Sequence, residues 1–223
     1  MKRIGIIGAG KMAFIRGKCL LGTRRVKIIA VASRQLEHAR SLAQKLRAPK
    51  SFDNYHSVAS LKPDALLIEV PHSAQQEIVL WSLDTAPAVL IGGVLALNSF
   101  DAREIEDKAS KKHCLVEVGF NARYDMMWEK VRDIVQSGQI GKPVMVQSLA
   151  LFPADPSSWY YDQKMSGGMP LTHMSYCFIN LVRWAIGSAV IEVSALANRL
   201  LHIGSHYVDQ EMCATTLRFK NDW

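Results

Sequence analysis

The sequence predicts an α/β fold: a Rossmann-type doubly wound parallel sheet, followed by a second α+β domain with an open, largely antiparallel or mixed sheet. Three observations predict it. Short apolar runs alternate with helix-period segments from the first residue to about residue 119, the rhythm of a parallel sheet covered on both faces. A glycine loop, Gly8-x-Gly10-x-x-Ala13, directly follows the first apolar run and opens the first helical segment. After "VGFNARYD" the strands lengthen and some connections carry no helix, which favours antiparallel or mixed pairing. The boundary falls near Asn121, so residues 1–120 and 121–223 form the two domains.

Along the first domain the strands are expected near residues 2–7, 26–32, 64–70, 88–91 and 115–119, and the helices near 11–21, 35–47, 74–84 and 100–112. The run Val89, Leu90, Ile91 is continuous and bulky, as a strand buried on both faces requires. "SFDNYHSVASL" fits a brief strand at Ser51–Phe52 and a helical turn from Tyr55. In the second domain a helix over about 124–137 stops at Gly138 and the turn "IGKP". A strand from Pro143 to Leu151 comes next, then a Pro/Ser/Trp/Tyr-rich loop to Met169, a helix over about 170–186, and strands near 190–200 and 212–219. "LRFKND" reads as a strand entering a hairpin turn, yet only Trp223 remains to begin a returning strand. Either the chain is a fragment or a partner covers the open edge, a homo-oligomer included.

With 49% hydrophobic and 21% charged residues in 223, the chain can bury one generous core or two modest ones. Its net charge of +7 comes from cations scattered over helix ends and turns, without interleaved aromatics, so a solvated surface is expected and not a nucleic-acid face. Cys19, Cys114, Cys177 and Cys213 lie far apart with no C-x-x-C, which reads as reduced thiols in a cytoplasmic protein and neither a disulfide frame nor a metal site. The start "MKRIGIIGAGK" mimics a signal peptide, but Lys11 and Arg16 interrupt it. The longest apolar run, Ala86 to Leu97, is well short of the ~20 residues of a membrane span.

Each position of the glycine loop has a physical task. Gly8 permits a tight turn, Gly10 lets the backbone approach a diphosphate, and Ala13 allows close packing of helix on strand, with the phosphates at the N-terminus carrying Lys11 and Met12. The second strand ends in Ser33 and Arg34, a hydroxyl and a cation suited to a 2′-phosphate, where an NAD site commonly carries Asp or Glu. NADP is therefore preferred, with NAD possible; the alternative is that Arg34 is only a solvated residue at a helix start. The fifth strand raises a further question, because its end carries Gly92 and Gly93 and so only backbone.

These residues resemble the Gfo/Idh/MocA oxidoreductases over essentially the whole chain. The markers are "GIIGAGKMA", "VASRQLEHARSLAQKL", "EVPHSAQQE", "VGFNARYD", "SGQIGKPV", "SGG" at 166–168 and "INLVRWAIG" at 179–187. The resemblance implies an NAD(P)-binding domain over 1–120, a partial substrate and oligomerisation domain over 121–223, and hydride transfer involving a sugar, polyol or related carbonyl compound. It also implies a longer chain than this one.

Two departures follow from the same resemblance. Members carry E-K-P where this chain has Gly92, Gly93 and Val94, and D-x-G-x-H-x-x-D where it has His173, Ser175, Cys177 and Asn180. Both usual acid/base carriers are thus replaced, so turnover is expected to be slow, or the chain is a non-catalytic cofactor-sensing or assembly protein. On a regular helix His173, Cys177 and Asn180 share one face, from which His173 serves as base; alternatively His173 and Cys177 simply pack. Pro71 and His72 follow the fourth strand where the family places cofactor contacts, though His72 is equally read as an exposed turn residue. Asn121 matches the segment joining the domains, and Tyr160, with Trp159 and Tyr161, lies on a loop that either overhangs a substrate or closes the core.

Overall fold

The computed structural model describes residues 1–151, 155, 157–198 and 211–220. The chain divides into two units, Met1–Gly119 and Phe120–Trp223.

In the first unit the expected alternation is realised in order: β1 Lys2–Ile7, α1 Lys11–Gly22, β2 Val26–Ala32, α2 Leu36–Lys45, β3 Lys50–Phe52, β4 Ala65–Ile68, α3 Gln75–Thr85, β5 Ala88–Ile91, α4 Ser99–Lys112 and β6 Leu115–Val118. The strands form one parallel sheet in the order β3-β2-β1-β4-β5-β6. The order reverses between β1 and β4, and an open α/β sheet binds its ligand in the crevice at such a reversal. Alternate strand residues feed two cores. Ile4, Ile6, Val31 and Leu67 pack with Ala13 and Leu42 on one face, while Ile7, Leu66, Ile68 and Ile91 pack with Val79 and Ile105 on the other. β4 and β5 are therefore apolar throughout, and the edge strand β6 alternates, with Leu115 and Glu117 outward.

Local signals set the helix ends. Asn98 accepts from the Asp101 amide at 2.9 Å to start α4, and His113 ends it in the left-handed conformation. Asp84 of α3 bonds Lys108 at 2.6 Å and Lys112 at 2.7 Å on α4. Those hydrogen bonds hold the Asp84 carboxyl below the usual carboxylate range. Because the folded value is depressed, the contribution is present above the unfolded value and lost as pH falls through the folded one. Asp84→Asn is expected to flatten the acid side of the stability profile, by about 1 kcal/mol or less for so exposed a pair, in denaturant melts over descending pH.

The second unit opens with a 3-10 turn, Asn121–Tyr124, then α5 Met126–Gln136, α6 Gln163–Ser166, α7 Tyr176–Ile186, β7 Val190–Asn198 and β8 Met212–Phe219. β7 and β8 pair antiparallel, as expected of the second sheet. Gln136 donates to the carbonyls of Trp184 and Ala185 at the end of α7, and Arg132 lies 4.7 Å over the Trp184 ring. Two expectations fail here. Residues 143–151 form no strand, and Val144, Met145 and Leu149 are 77–89% exposed. A strand persists only with a ladder partner, and β7 and β8 pair with each other alone among the described residues. The single helix over 170–186 is instead a π-helix, Met169–Ser175, followed by α7. Pro170 lacks an amide, and Thr172 and Ser175 take the carbonyls of Gly167 and Pro170, five residues back. Residues 199–200 of the expected seventh strand, and the proposed turn at 221–222, lie outside the described residues.

Candidate functional site: the carboxyl edge of the parallel sheet

The glycine loop sits at the sheet's reversal. Gly8 has φ +104°, and a Cβ there would lie 2.0 Å from the Glu69 carbonyl oxygen, so this position requires glycine. Gly10, with φ −79° and ψ −179°, is extended and unstrained, and a Cβ there would meet nothing within 4 Å. Gly10 starts α1 without a side-chain cap, and no acid stands in the first turn. Lys11 and Met12 are exposed, while Ala13 is fully buried against β1. A 12-residue helix thus presents its first-turn amides, with a lysine beside them, to open space. That donor set fits a diphosphate.

Beyond β2, Ser33 donates its amide to the Phe52 carbonyl at 3.0 Å, and Ser33, Arg34, Gln35 and His38 line a small pocket. Arg34 is exposed and makes no ion pair among the described residues. The neighbouring acid, Glu37, is engaged by Arg40 at 2.5 Å. The guanidinium of Arg34 is therefore uncommitted at the pocket, as recognition of a phosphate requires.

The other half of the edge carries a group that the sequence reading missed. Glu69, Gly92 and Gly119 are the first residues after β4, β5 and β6, and their amides bond Ile7, Ile68 and Ile91 at 2.7–2.9 Å. Arg16 reaches from α1 to bond Glu69 at 2.5 Å, with side chains only 13% and 6% exposed. A Cβ on Gly92 would stand 2.3 Å from Glu69 Oε2 and 2.4 Å from Arg16 Nη1, and one on Gly119 would stand 3.1 Å from Arg16 Nη2. Both glycines are thus accounted for by the ion pair lodged beside them. Burial pushes the Glu69 carboxyl above its ordinary value, while Arg16 works in the opposite direction. The available signal was a carboxylate closing the apolar run "ALLIE".

Pro71 precedes a 3-10 turn that holds His72, which is 4% exposed; the exposed-turn alternative is overturned, because the turn folds His72 inward against Gly93. Gln75, fully buried, donates to the Gly92 carbonyl at 2.7 Å.

In the second unit His173 and Tyr160 come together, with rings 4.6 Å apart and 10° from parallel, and Trp159 meets His173 edge-on at 4.9 Å. His173 lies in the wider π turn, its amide bonded to Gly168, and Cys177 and Asn180 lie on α7 after it. Cys177 points its thiol at the Met174 carbonyl, 3.3 Å away, and burial pushes that thiol up, away from the thiolate. Asn180 accepts from Arg123 at 2.8 Å. Asn121 is exposed at the start of its 3-10 turn.

Comparison with known proteins decides the descent of this arrangement. Residues 2–120 match the family model described as oxidoreductase family, NAD-binding Rossmann fold, and residues 128–223 match that of the GFO/IDH/MocA C-terminal domain. The chain belongs to the Gfo/Idh/MocA oxidoreductase family. It is 27% identical to myo-inositol 2-dehydrogenase of Thermotoga maritima, covering 98% of this chain and 65% of that protein. It is 24% identical to D-glucoside 3-dehydrogenase of Escherichia coli, covering 91% and 59%. Among solved structures, a probable dehydrogenase from Thermotoga maritima superposes with TM-score 0.82 at 25% identity, over 99% of this chain and 66% of that one. An oxidoreductase domain protein from Kribbella flavida gives 0.87 at 19%, over 99% and 65%, a likeness of fold. The chain therefore spans about 59–66% of the length of these family members.

Gly93 has φ +88°, and a Cβ there would stand 3.0 Å from His72 Nε2. Gly93→Lys is expected to cost roughly 1–3 kcal/mol through backbone strain, measured by urea denaturation.

Proposed function

We propose that the first unit binds a pyridine dinucleotide, NADP(H) in preference to NAD(H), and that the protein transfers hydride to or from a sugar, polyol or related carbonyl compound. One observation carries this reading: the uncapped, open mouth at Gly10 lies on the same sheet edge as the uncommitted Arg34 beside Ser33. The relatives' names supply the substrate class. When bound, the coenzyme supplies or takes the hydride. The α1 amides and Lys11 hold its diphosphate, and Ser33 and Arg34 hold its 2′-phosphate. Pro71 and His72 wall the far side, and no lysine stands at position 93 to move a proton. Losing such a group costs about 10²–10⁴ in rate, which leaves slow turnover feasible.

Calorimetric titration with NADPH, NADP, NADH and NAD tests the reading. Arg34→Ala is expected to weaken NADPH binding by roughly 10- to 100-fold, the worth of a charge-assisted hydrogen bond, and to leave NADH unchanged. No heat with any of the four coenzymes refutes the reading.

The positive φ of Gly93 and the packing of His173, stacked on Tyr160 and met edge-on by Trp159, favour a second reading, a binding module that senses the coenzyme without turnover. Coenzyme binding together with no NADPH oxidation above background across a carbonyl panel selects it.

A further inference from the structure

We infer that the Glu69 carboxylate, by neutralising the buried Arg16 beside it, keeps the cleft open to the oxidised, cationic form of the coenzyme, an inference that rests on the dinucleotide reading of the cleft. Three observations carry it. The first is position. Glu69, Gly92 and Gly119 form a row along the carboxyl ends of β4, β5 and β6, the half of the sheet across the reversal from the Ser33–Arg34 pocket. A dinucleotide with its diphosphate at α1 and its 2′-phosphate at Arg34 directs its other ring toward that half.

The second is construction. Arg16 and Glu69 lie 53 residues apart and fill the volume that side chains on two adjacent strand ends would otherwise take. The guanidinium is not saturated by this contact: Arg16 Nε is buried with no hydrogen-bond partner among the described residues. Its charge is therefore balanced chiefly by the Glu69 carboxylate.

The third is charge. The oxidised nicotinamide ring is a cation and the reduced ring is neutral, so a fixed net charge in this half of the cleft would change the affinity for one form more than for the other. With Glu69 ionised the pair sums to zero. Without the carboxylate, Arg16 presents a full positive charge in a region shielded from water, where it opposes the cationic ring.

The test is the ratio of dissociation constants for NADP and NADPH, measured by calorimetry at one fixed pH for every variant. Glu69→Gln is expected to raise that ratio by about tenfold, through weaker NADP binding, while NADPH affinity holds. Glu69→Met, also without the carboxylate, is expected to shift it in the same direction. The double variant Arg16→Met/Glu69→Met, with no net charge, is expected to return the ratio to the wild-type value. If a single variant is too unstable to titrate, the coenzyme-induced rise in Tm reports the same ratio, because each form stabilises according to its own affinity. An unchanged ratio in the single variants, with both coenzymes still bound, overturns the inference and leaves the dinucleotide reading standing. A wild type that binds neither form removes both.

Discussion

Gly8→Ala is expected to unfold the first unit under conditions in which Gly10→Ala leaves it intact and unable to hold coenzyme. The two glycines are two residues apart and serve unrelated ends. At Gly8 the φ is positive, and the added methyl would stand 2.0 Å from the Glu69 carbonyl oxygen, a backbone atom just after β4 that cannot rotate aside. Strain and overlap together cost at least about 3 kcal/mol. At roughly 2–4 °C per kcal/mol, Tm falls by roughly 10 °C, read by circular dichroism. At Gly10 the conformation suits any residue and the methyl meets no protein atom. Stability is therefore unchanged, or rises by up to about 1 kcal/mol as the unfolded chain loses freedom. The methyl instead occupies the approach to the α1 amides, so NADPH affinity falls by at least about tenfold in calorimetry. A Gly10→Ala protein that binds NADPH normally would place the coenzyme elsewhere.

The second large effect belongs to Arg16 and Glu69 as structural partners. Removing one side chain leaves the other charge buried, at a cost of roughly 3–5 kcal/mol, whereas replacing both by apolar residues of similar size is close to neutral. Arg16→Met is therefore expected to lose several kcal/mol in urea denaturation, and Arg16→Met/Glu69→Met to recover most of it. The pH dependence has a definite sign. Burial raises the folded value for Glu69, so the folded chain holds this proton more tightly than the unfolded chain. Its contribution is full below the unfolded value and is lost as pH rises through the folded one. Glu69→Gln should flatten the stability profile across that interval. A profile that keeps its slope in the variant would assign the titration to another group.

The strands, the glycine loop and the family were legible in the residues themselves, because each rests on neighbours in sequence. A continuous apolar run needs only a sheet covered on both faces, and Gly8-x-Gly10-x-x-Ala13 encodes a turn, an approach and a packing contact within six positions. What failed depended on partners far along the chain. Residues 143–151 carry strand-forming residues, yet no ladder partner meets them among the described residues. His72 sits in a short turn with no pattern of its own, and only the packing against Gly93 decides that it is buried.

By itself, then, the sequence determined a doubly wound sheet with a diphosphate-shaped opening after its first strand, since short-range apolar spacing and glycine conformation dictate both. Only the tertiary structure decided why the fifth strand ends in glycine. Arg16 and Glu69 come from different elements and meet in the space that a side chain on Gly92 would claim. Two opposite charges withdrawn from water must find each other, and that meeting is a property of the assembled sheet edge, not of any local run of residues.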